Sequence, residues 1–493
     1  MSSKPKITII GSGVGGLTAA ACLSYQGYPV TILERASALG GKAAQQEVHG
    51  KTFDTGPSLL TMIDELQTIY AACGENLADS LDLIPHETAF RYDYADGVSF
   101  DVYQNFEQTL ASVESALGAQ PALELRRFVQ YSQTIWENAL PHFVMDQAPT
   151  LLNTLQKGWT GLRAVSKIDA LHVMKRAIDK KVTNQHLRYL LYRYATYNGS
   201  HPAKAPATLN CIAHVELNLG GYGVKGGMHR LPQSLWTIAQ KNGAELKLNQ
   251  NVTRIVVKNK RVVGLEVNGQ KEPCEWVVSN ADWRHLQSTL CPEFVTGPMK
   301  RSLKAASTSA FNAVWWDKEP SQKRLAHSVL FPKNYEDEFE ALFSGKNPSQ
   351  PTVYLSDQTI NHHRQPSDGG HLVFGMINAP DLSSAPQQKP TEEMVALMKS
   401  TAVQRGYLSP NAELLWSRNP QMLADRFPDS AGALYGLASN SWDAAFSRPG
   451  NQSQRVKGLY LASGTAHPGG GVPMAMISGY LAAQALHQTV PST

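Results

Sequence analysis

Apolar positions fall into short continuous runs near the two ends of the chain and into helical spacing between them. Ile7-Thr8-Ile9-Ile10 is such a run. It leads directly into Gly11-Ser12-Gly13-Val14-Gly15-Gly16 and a helical stretch to about Gln26. Residues 28–33 read as a second strand, and 244–248, 252–257, 262–267 and 276–281 as further strands behind a helix opened by Gly227-Met228-His229-Arg230-Leu231. Residues 458–462 repeat the opening theme, with a buried strand, a glycine-rich turn and a helix to about Leu486. Short apolar runs of this kind suit strands buried on both faces, as in a parallel sheet covered by helices.

Residues 149–182 have a different pattern. Leu152, Leu155, Trp159 and Leu162 recur at helical spacing, as do Ile168, Leu171, Met174, Ile178 and Val182. Lys157, Arg163, Lys167, Lys175, Arg176, Lys180 and Lys181 face only Asp169 and Asp179, seven basic residues against two acidic, a local excess of +5. A basic amphipathic stretch matches a membrane-surface element; the competing reading is the solvated face of a core helix. No run of about 20 apolar residues exists, so no spanning helix is expected. Lys4 and Lys6 ahead of an apolar stretch imitate a signal peptide, but the glycines at 11, 13, 15 and 16 break that pattern.

The 493 residues, 42% hydrophobic and 17% charged, supply a large core and suggest about three structural units. A net charge of +4 lacks the basic bias of a nucleic-acid binder, and none is expected as a partner. The five cysteines are odd in number and have no Cys-x-x-Cys spacing, which favours free thiols in a reducing, cytoplasmic compartment. His362, His363 and His371 lack a zinc-type ligand pattern, so no metal is expected.

The first turn carries the chemistry. Gly11, Gly13 and Gly16 form G-x-G-x-x-G between strand and helix, and Glu34 ends the second strand. The glycines permit a tight turn and close approach to a pyrophosphate, the helix N-terminus offers free N–H groups, and Glu34 can accept from a ribose. The triplet alone is weak; strand, helix, second strand and terminal acid in order make a dinucleotide site.

Glu34-Arg35 is followed by Gly40-Gly41-Lys42 and by Phe53-Asp54-Thr55-Gly56-Pro57-Ser58. This succession resembles the flavoprotein family of amine oxidases, protoporphyrinogen oxidases and carotenoid desaturases. Ser463-Gly464-Thr465-Ala466-His467-Pro468-Gly469-Gly470-Gly471-Val472-Pro473-Met474 resembles the C-terminal signature of bacterial-type carotenoid desaturases, supported by Arg426-Phe427-Pro428, Gly432 to Gly436 and Arg448-Pro449. The family departs from this chain at Lys42, where the charge type is kept. Arg193-Tyr194-Ala195-Thr196-Tyr197-Asn198-Gly199, Pro202, Gly220-Gly221-Tyr222 and Gly226 to Leu231 look most similar to the 1-hydroxycarotenoid 3,4-desaturases.

The resemblance implies an α/β fold. A Rossmann-like FAD-binding domain (1–65, 226–285 and 450–493) interleaves with an α+β substrate domain (66–225 and 286–449). It implies FAD held by Gly11, Gly13, Gly16, Glu34, Arg35, Gly41, Lys42, Gly56, Pro57, Ser58, Val252, Gly464, Gly471, Val472 and Met474. The expected reaction is desaturation of a long apolar polyene, forming the 3,4 double bond of a 1-hydroxycarotenoid. The acceptor would be oxygen or a quinone, and the enzyme would sit peripherally on the inner face of a membrane. His214 and Glu216, just before the Gly226-Gly227 turn, are the expected polar residues near the reacting carbons; a structural role in the inserted domain is the alternative. Phytoene desaturase, carotenoid isomerase, flavin amine oxidase and a non-enzymatic prenyl-protein escort remain open as functions.

Overall fold

The computed structural model describes residues 4–148, 167–294, 306–440 and 448–490. Its organising element is a five-stranded parallel sheet in the order Leu459–Leu461, Trp276–Ser279, Ile7–Ile10, Val30–Leu33, Glu245–Lys247. Side chains alternate across it. Ile7 and Ile9 join Leu17, Leu235, Ile238, Met476 and Leu481 under a helical layer, while Ile10, Val277, Leu459 and Leu461 face Ile255, Val262 and Leu265 of an antiparallel three-stranded sheet. Burial on both faces explains why the strands read as continuous apolar runs rather than alternating ones.

The helical layer consists of Val14–Tyr25, Arg230–Lys241 and Val472–Thr489. The first and last of these pack through glycine. A Cβ on Gly479 would lie 2.2 Å from the Gly15 carbonyl, and one on Gly15 would lie 2.4 Å from the Ala462 carbonyl. Only hydrogen at these positions lets the two helix N-termini, from nearly opposite ends of the sequence, stand side by side.

A seven-stranded mixed sheet forms the second layer system, in the order Glu413–Arg418, Ser309–Asp317, His371–Ala379, Val353–Asp357, His327–Leu330, Thr88–Asp93, Ser99–Tyr103. The helix Thr391–Gln404 covers one face through Met394, Met398 and Ala402. Val314, Leu372 and Phe374 on the other face pack on Phe53, so the sheet abuts the hairpin Gln45–Val48/Lys51–Asp54 that lies between Lys42 and Ser58. Ala119–Ala139, Gln185–Arg193 and Cys211–Leu217 build a further helical layer.

The elements expected near both chain ends are present within a few residues. Residues 168–182 differ: within them helix runs only over Met174–Lys181. Asp169 takes a left-handed φ of 52° and Val173 pairs with Pro206 as an isolated bridge, so Leu171 is left 89% exposed although its spacing suits a helix face. Leu152, Leu155, Lys157, Trp159, Leu162 and Arg163 lie outside the described residues.

Candidate active site

The strand Ile7–Ile10 ends at Gly11, whose φ of 93° suits glycine, and the chain turns under the end of the neighbouring strand Val30–Leu33. Ser12 donates both its N–H and its hydroxyl to Glu34 Oε2 at 2.7 Å, and Ala36 N donates to Oε1 at 2.8 Å. Glu34 thereby fastens the phosphate-type turn to the next strand and stays partly exposed at its rim.

Gly13 N donates to Asn280 Oδ1 at 3.0 Å, and Asn280 Nδ2 donates to the Ala462 carbonyl. Asn280 thus ties the first turn to the last. Sequence reasoning missed it. Its signal is its place just beyond the carboxyl end of Trp276–Ser279, the parallel strand beside Ile7–Ile10, where open α/β sheets put their ligand contacts.

Space along this turn is tight. A Cβ on Gly13 would meet Asn280 Oδ1 at 2.5 Å, one on Gly16 would meet the Gly11 carbonyl at 2.3 Å, and one on Gly56 would meet the Lys42 carbonyl at 1.9 Å. Gly40 N donates to the Ser12 carbonyl at 2.9 Å, and a Cβ on Gly41 would stand 3.1 Å from Gly13 Cα. The second glycine pair is therefore laid directly on the first turn, and Gly56-Pro57-Ser58 on the second pair.

Cations gather at the same lip. Lys42 Nζ donates to the Leu434 carbonyl at 2.7 Å and to that of Ala433 at 3.3 Å. Burial lowers its pKa, Asp282 opposes that shift, and Arg418 adds to it. Arg426 Nη2 reaches the Gly41 carbonyl at 3.2 Å, and Arg35 donates to the Arg426 carbonyl. Arg418 Nη2 reaches the Thr55 carbonyl at 2.8 Å and Asn312 Oδ1 at 2.9 Å, and burial lowers its pKa to about 9. Arg448 Nη2 donates to the Leu437 carbonyl at 2.9 Å, and burial lowers its pKa to about 10. These partners are main-chain and amide oxygens. Four buried or half-buried cations hydrogen-bonded to neutral oxygens, with Asp282 and Glu34 as carboxylates acting on three of them, suit an anionic ligand, because an incompletely matched buried charge is costly.

At the far turn, Gly471 precedes Val472–Thr489 with φ 104°, and Ser463 N donates to Ser478 Oγ at 3.1 Å. Gly464 lies against Ala475, while Val472 and Met474 are partly buried against the helical core. His467 Nε2 meets the Asp146 carbonyl at 2.9 Å, and burial lowers its pKa to about 4. Val252 opens the strand Val252–Lys258 beside the Glu34 loop, where Gln250 N donates to the Glu34 carbonyl at 2.8 Å. The expected cofactor residues thus line two abutting turns and the loops laid on them, and the glycine cradle with its cations fits FAD. Glu34 would offer a ribose acceptor, the helix N-termini would offer phosphate donors, and bound FAD would supply a two-electron acceptor.

His214 and Glu216 lie two residues apart on Cys211–Leu217 and point to different sides, as about 100° per residue requires. His214 Nδ1 lies 3.3 Å from Asn218 Nδ2, and burial lowers its pKa. Glu216 sits in a cage: it accepts from Tyr92 at 2.8 Å, from Tyr194 at 3.1 Å and from Tyr197, and lies 3.6 Å from Arg193. The Arg193 guanidinium is also ringed by Phe90, Tyr92, Tyr197 and Tyr354 at 5.2–5.9 Å. Tyr354 links this cage to the cofactor lip. Its hydroxyl lies 2.6 Å from Ser58 Oγ and 2.7 Å from His327 Nδ1. Tyr354 and His327 carried no sequence signal, since only strand pairing brings them beside Ser58. Among the described residues, no group of three or more His, Cys, Asp or Glu is placed to hold a metal.

A family model for flavin-containing amine oxidoreductases matches residues 14–487. The chain is 32% identical to a 1-hydroxycarotenoid 3,4-desaturase of a Flavobacterium species, over 98% of this chain and 99% of that one. It is 31% identical to a hydroxyneurosporene desaturase of Rubrivivax gelatinosus (99% and 94% covered) and 26% identical to a 4,4'-diaponeurosporene oxygenase of Staphylococcus aureus (96% of each). An oxidoreductase structure from Methanosarcina mazei superposes with a TM-score of 0.65 at 16% identity, covering 98% of this chain and all of that one. A putrescine oxidase superposes equally well at 14% identity, over 98% and 99% of the two chains. These two structures share the fold.

Proposed function

The chain belongs to the family of flavin-containing amine oxidoreductases, as an FAD-dependent oxidoreductase of the carotenoid-desaturase kind, and from that premise we propose that it forms the 3,4 double bond of a 1-hydroxycarotenoid. The observation that carries this reading is the near-full-length similarity to a 1-hydroxycarotenoid 3,4-desaturase.

Desaturation takes two hydrogens from adjacent carbons, and FAD held in the cradle of the two glycine turns would supply the two-electron acceptor for them. The protein's share is orientation and water exclusion. Ser58 and Tyr354 present hydroxyls from the cofactor lip, where they can hydrogen-bond the substrate's hydroxyl end. Glu216 is the centre of the polar wall behind them. With both oxygens engaged, it fixes the directions of three phenols and the place of Arg193, and His214 supports the same helix from its other side. A polar pocket of this kind discriminates strongly, because a substrate without the hydroxyl leaves buried donors unpaired at about 1–3 kcal/mol.

The FAD-loaded protein, mixed with liposomes carrying a carotenoid panel under oxygen or with added quinone, should remove two hydrogens from the 1-hydroxylated substrate, read by mass and a red-shifted spectrum. Efficient multi-step conversion of phytoene would overturn the substrate assignment, and turnover of an amine without carotenoid activity would overturn the substrate class.

Peripheral attachment to the inner face of a membrane belongs to the same proposal, since the substrate is lipid-soluble. No described helix is long and apolar enough to cross a membrane. Arg176, Lys180 and Leu171 are exposed around Met174–Lys181, whereas Lys175 turns inward to Asp179 at 2.9 Å and Glu336 at 3.4 Å. Reversing Arg176 and Lys180 should weaken binding to anionic vesicles by about 1 kcal/mol per lost cation. Unchanged binding would remove this helix from the membrane contact.

A further inference from the structure

Cys22 lies in the helix Val14–Tyr25, which follows the first glycine turn, and Cys73 closes the helix Ile63–Ala72. Their side chains are buried and their sulfurs are 3.0 Å apart. A disulfide bond is about 2.05 Å long, so closing the pair needs a further approach of about 1 Å. We propose that Cys22 and Cys73 are an oxidisable dithiol whose disulfide locks the FAD-carrying segment onto the first helix. The crosslink would close a loop from 22 to 73, and that loop contains Glu34, Arg35, Gly41, Lys42, Gly56 and Ser58. It would hold these residues against the glycine turn even during local opening.

The other thiols are placed differently. Cys274 Sγ donates to Thr8 Oγ1 at 3.3 Å, Cys211 packs against the same core cluster from the helix Cys211–Leu217, and Cys291 lies in a different cluster. The Cys22 thiol is held protonated, first by its bond to Cys73 and then by burial, so reaction waits on exposure of the other partner. Cys73 supplies it: Gly74 beyond it is exposed with φ 76°, and the last turn of Ile63–Ala72 can fray there.

The oxidant is a small disulfide such as oxidised glutathione. The Cys73 thiolate attacks one of its sulfurs, the small S–S bond breaks, and one glutathione leaves with the proton lost by Cys73. Cys22 then attacks the Cys73 sulfur of the mixed disulfide, and the second glutathione leaves with the Cys22 proton. Two protein thiols become one disulfide, and one small disulfide becomes two thiols.

This proposal is independent of the substrate and is tested on the full FAD-loaded chain. The protein is held in oxidised or reduced glutathione, its free thiols are alkylated, and its peptides are analysed by mass, while hydrogen exchange confirms that 63–72 opens under the same conditions. The expected result is a peptide linking Cys22 to Cys73, several-fold slower flavin release and a higher melting temperature, all reversed by dithiothreitol and absent from Cys73→Ala. Glutathione left on Cys73 without closure would overturn the proposal, as would the absence of a linked peptide despite measured opening. A linked peptide with unchanged flavin release would overturn the locking role.

Discussion

Buried cations are handled differently in the two halves of the molecule. Around the seven-stranded sheet they meet carboxylates: Arg324 lies 2.6 Å from Asp317, Arg405 lies 3.2 Å from Asp93 and Arg193 lies 3.6 Å from Glu216. Along the glycine turns Lys42, Arg426 and Arg448 bond to carbonyl oxygens. Arg418 springs from the seven-stranded sheet but reaches the Thr55 carbonyl and so belongs with the second set. The first set is electrostatically closed and serves the fold. The second is open, only partly matched by Asp282 and Glu34, and an anionic ligand would complete it.

The largest effect is expected where a closed pair is broken. Glu216→Met leaves Arg193 buried without its counter-charge and should cost about 3–5 kcal/mol in chemical denaturation. Changing Arg193 to Met as well should recover most of that loss. A double variant as unstable as the single one would show that charge pairing is not what Glu216 contributes.

Glu338 sharpens the contrast, because it is a buried acid of the same half held by neutral donors. Thr352 N donates to it at 2.7 Å and Asn378 Nδ2 at 3.2 Å, and burial raises its pKa to about 7 from the ordinary 4.5. The folded chain therefore holds this proton more tightly than the unfolded chain. Its contribution is fully present below about pH 4.5 and is lost as pH rises through about 7, on the order of 3 kcal/mol in all. Glu338→Gln should flatten that part of the stability profile; an unchanged profile would mean that another group carries it.

The smallest change in stability is expected in the open set. Lys42→Met should weaken FAD binding by about 1.5–3 kcal/mol through loss of a charge-assisted contact, a larger loss than the FAD-free form shows when Asp282 loses its neighbouring charge. Equal losses in the loaded and FAD-free forms would place Lys42 with the closed cations.

The same division governs what could be read from the chain. The glycine turns were legible because each is local: strand, turn, helix and terminal acid follow one another from Ile7 to Glu34. The seven-stranded sheet was not, because its neighbours are remote in sequence. Leu330 lies beside Asp93 and Ser309 beside Ala379. Ser309–Asp317 is moreover buried along almost its whole length, which hides the alternation that marks a half-exposed strand. The cage was half legible. The Arg193 to Gly199 stretch stood out as a motif, but its partnership with Glu216 needs two helices and the strand bearing Tyr92 to be in place. Leu171 misled because spacing alone cannot see the backbone reversal at Asp169.

The meeting of Gly15 with Ala462 and Gly479 has a consequence for biosynthesis. At about 5–20 residues per second, a ribosome that has just made the first glycine turn works for roughly 20 to 90 seconds before it delivers the strand and helix that close over it. Until then Trp276–Ser279 lacks its outer neighbour Leu459–Leu461, and Asn280 has no Ala462 carbonyl to grip. A nascent chain halted before Val472 would present the phosphate turn with one wall missing. Flavin retention should therefore report on synthesis through Gly479 as much as on folding.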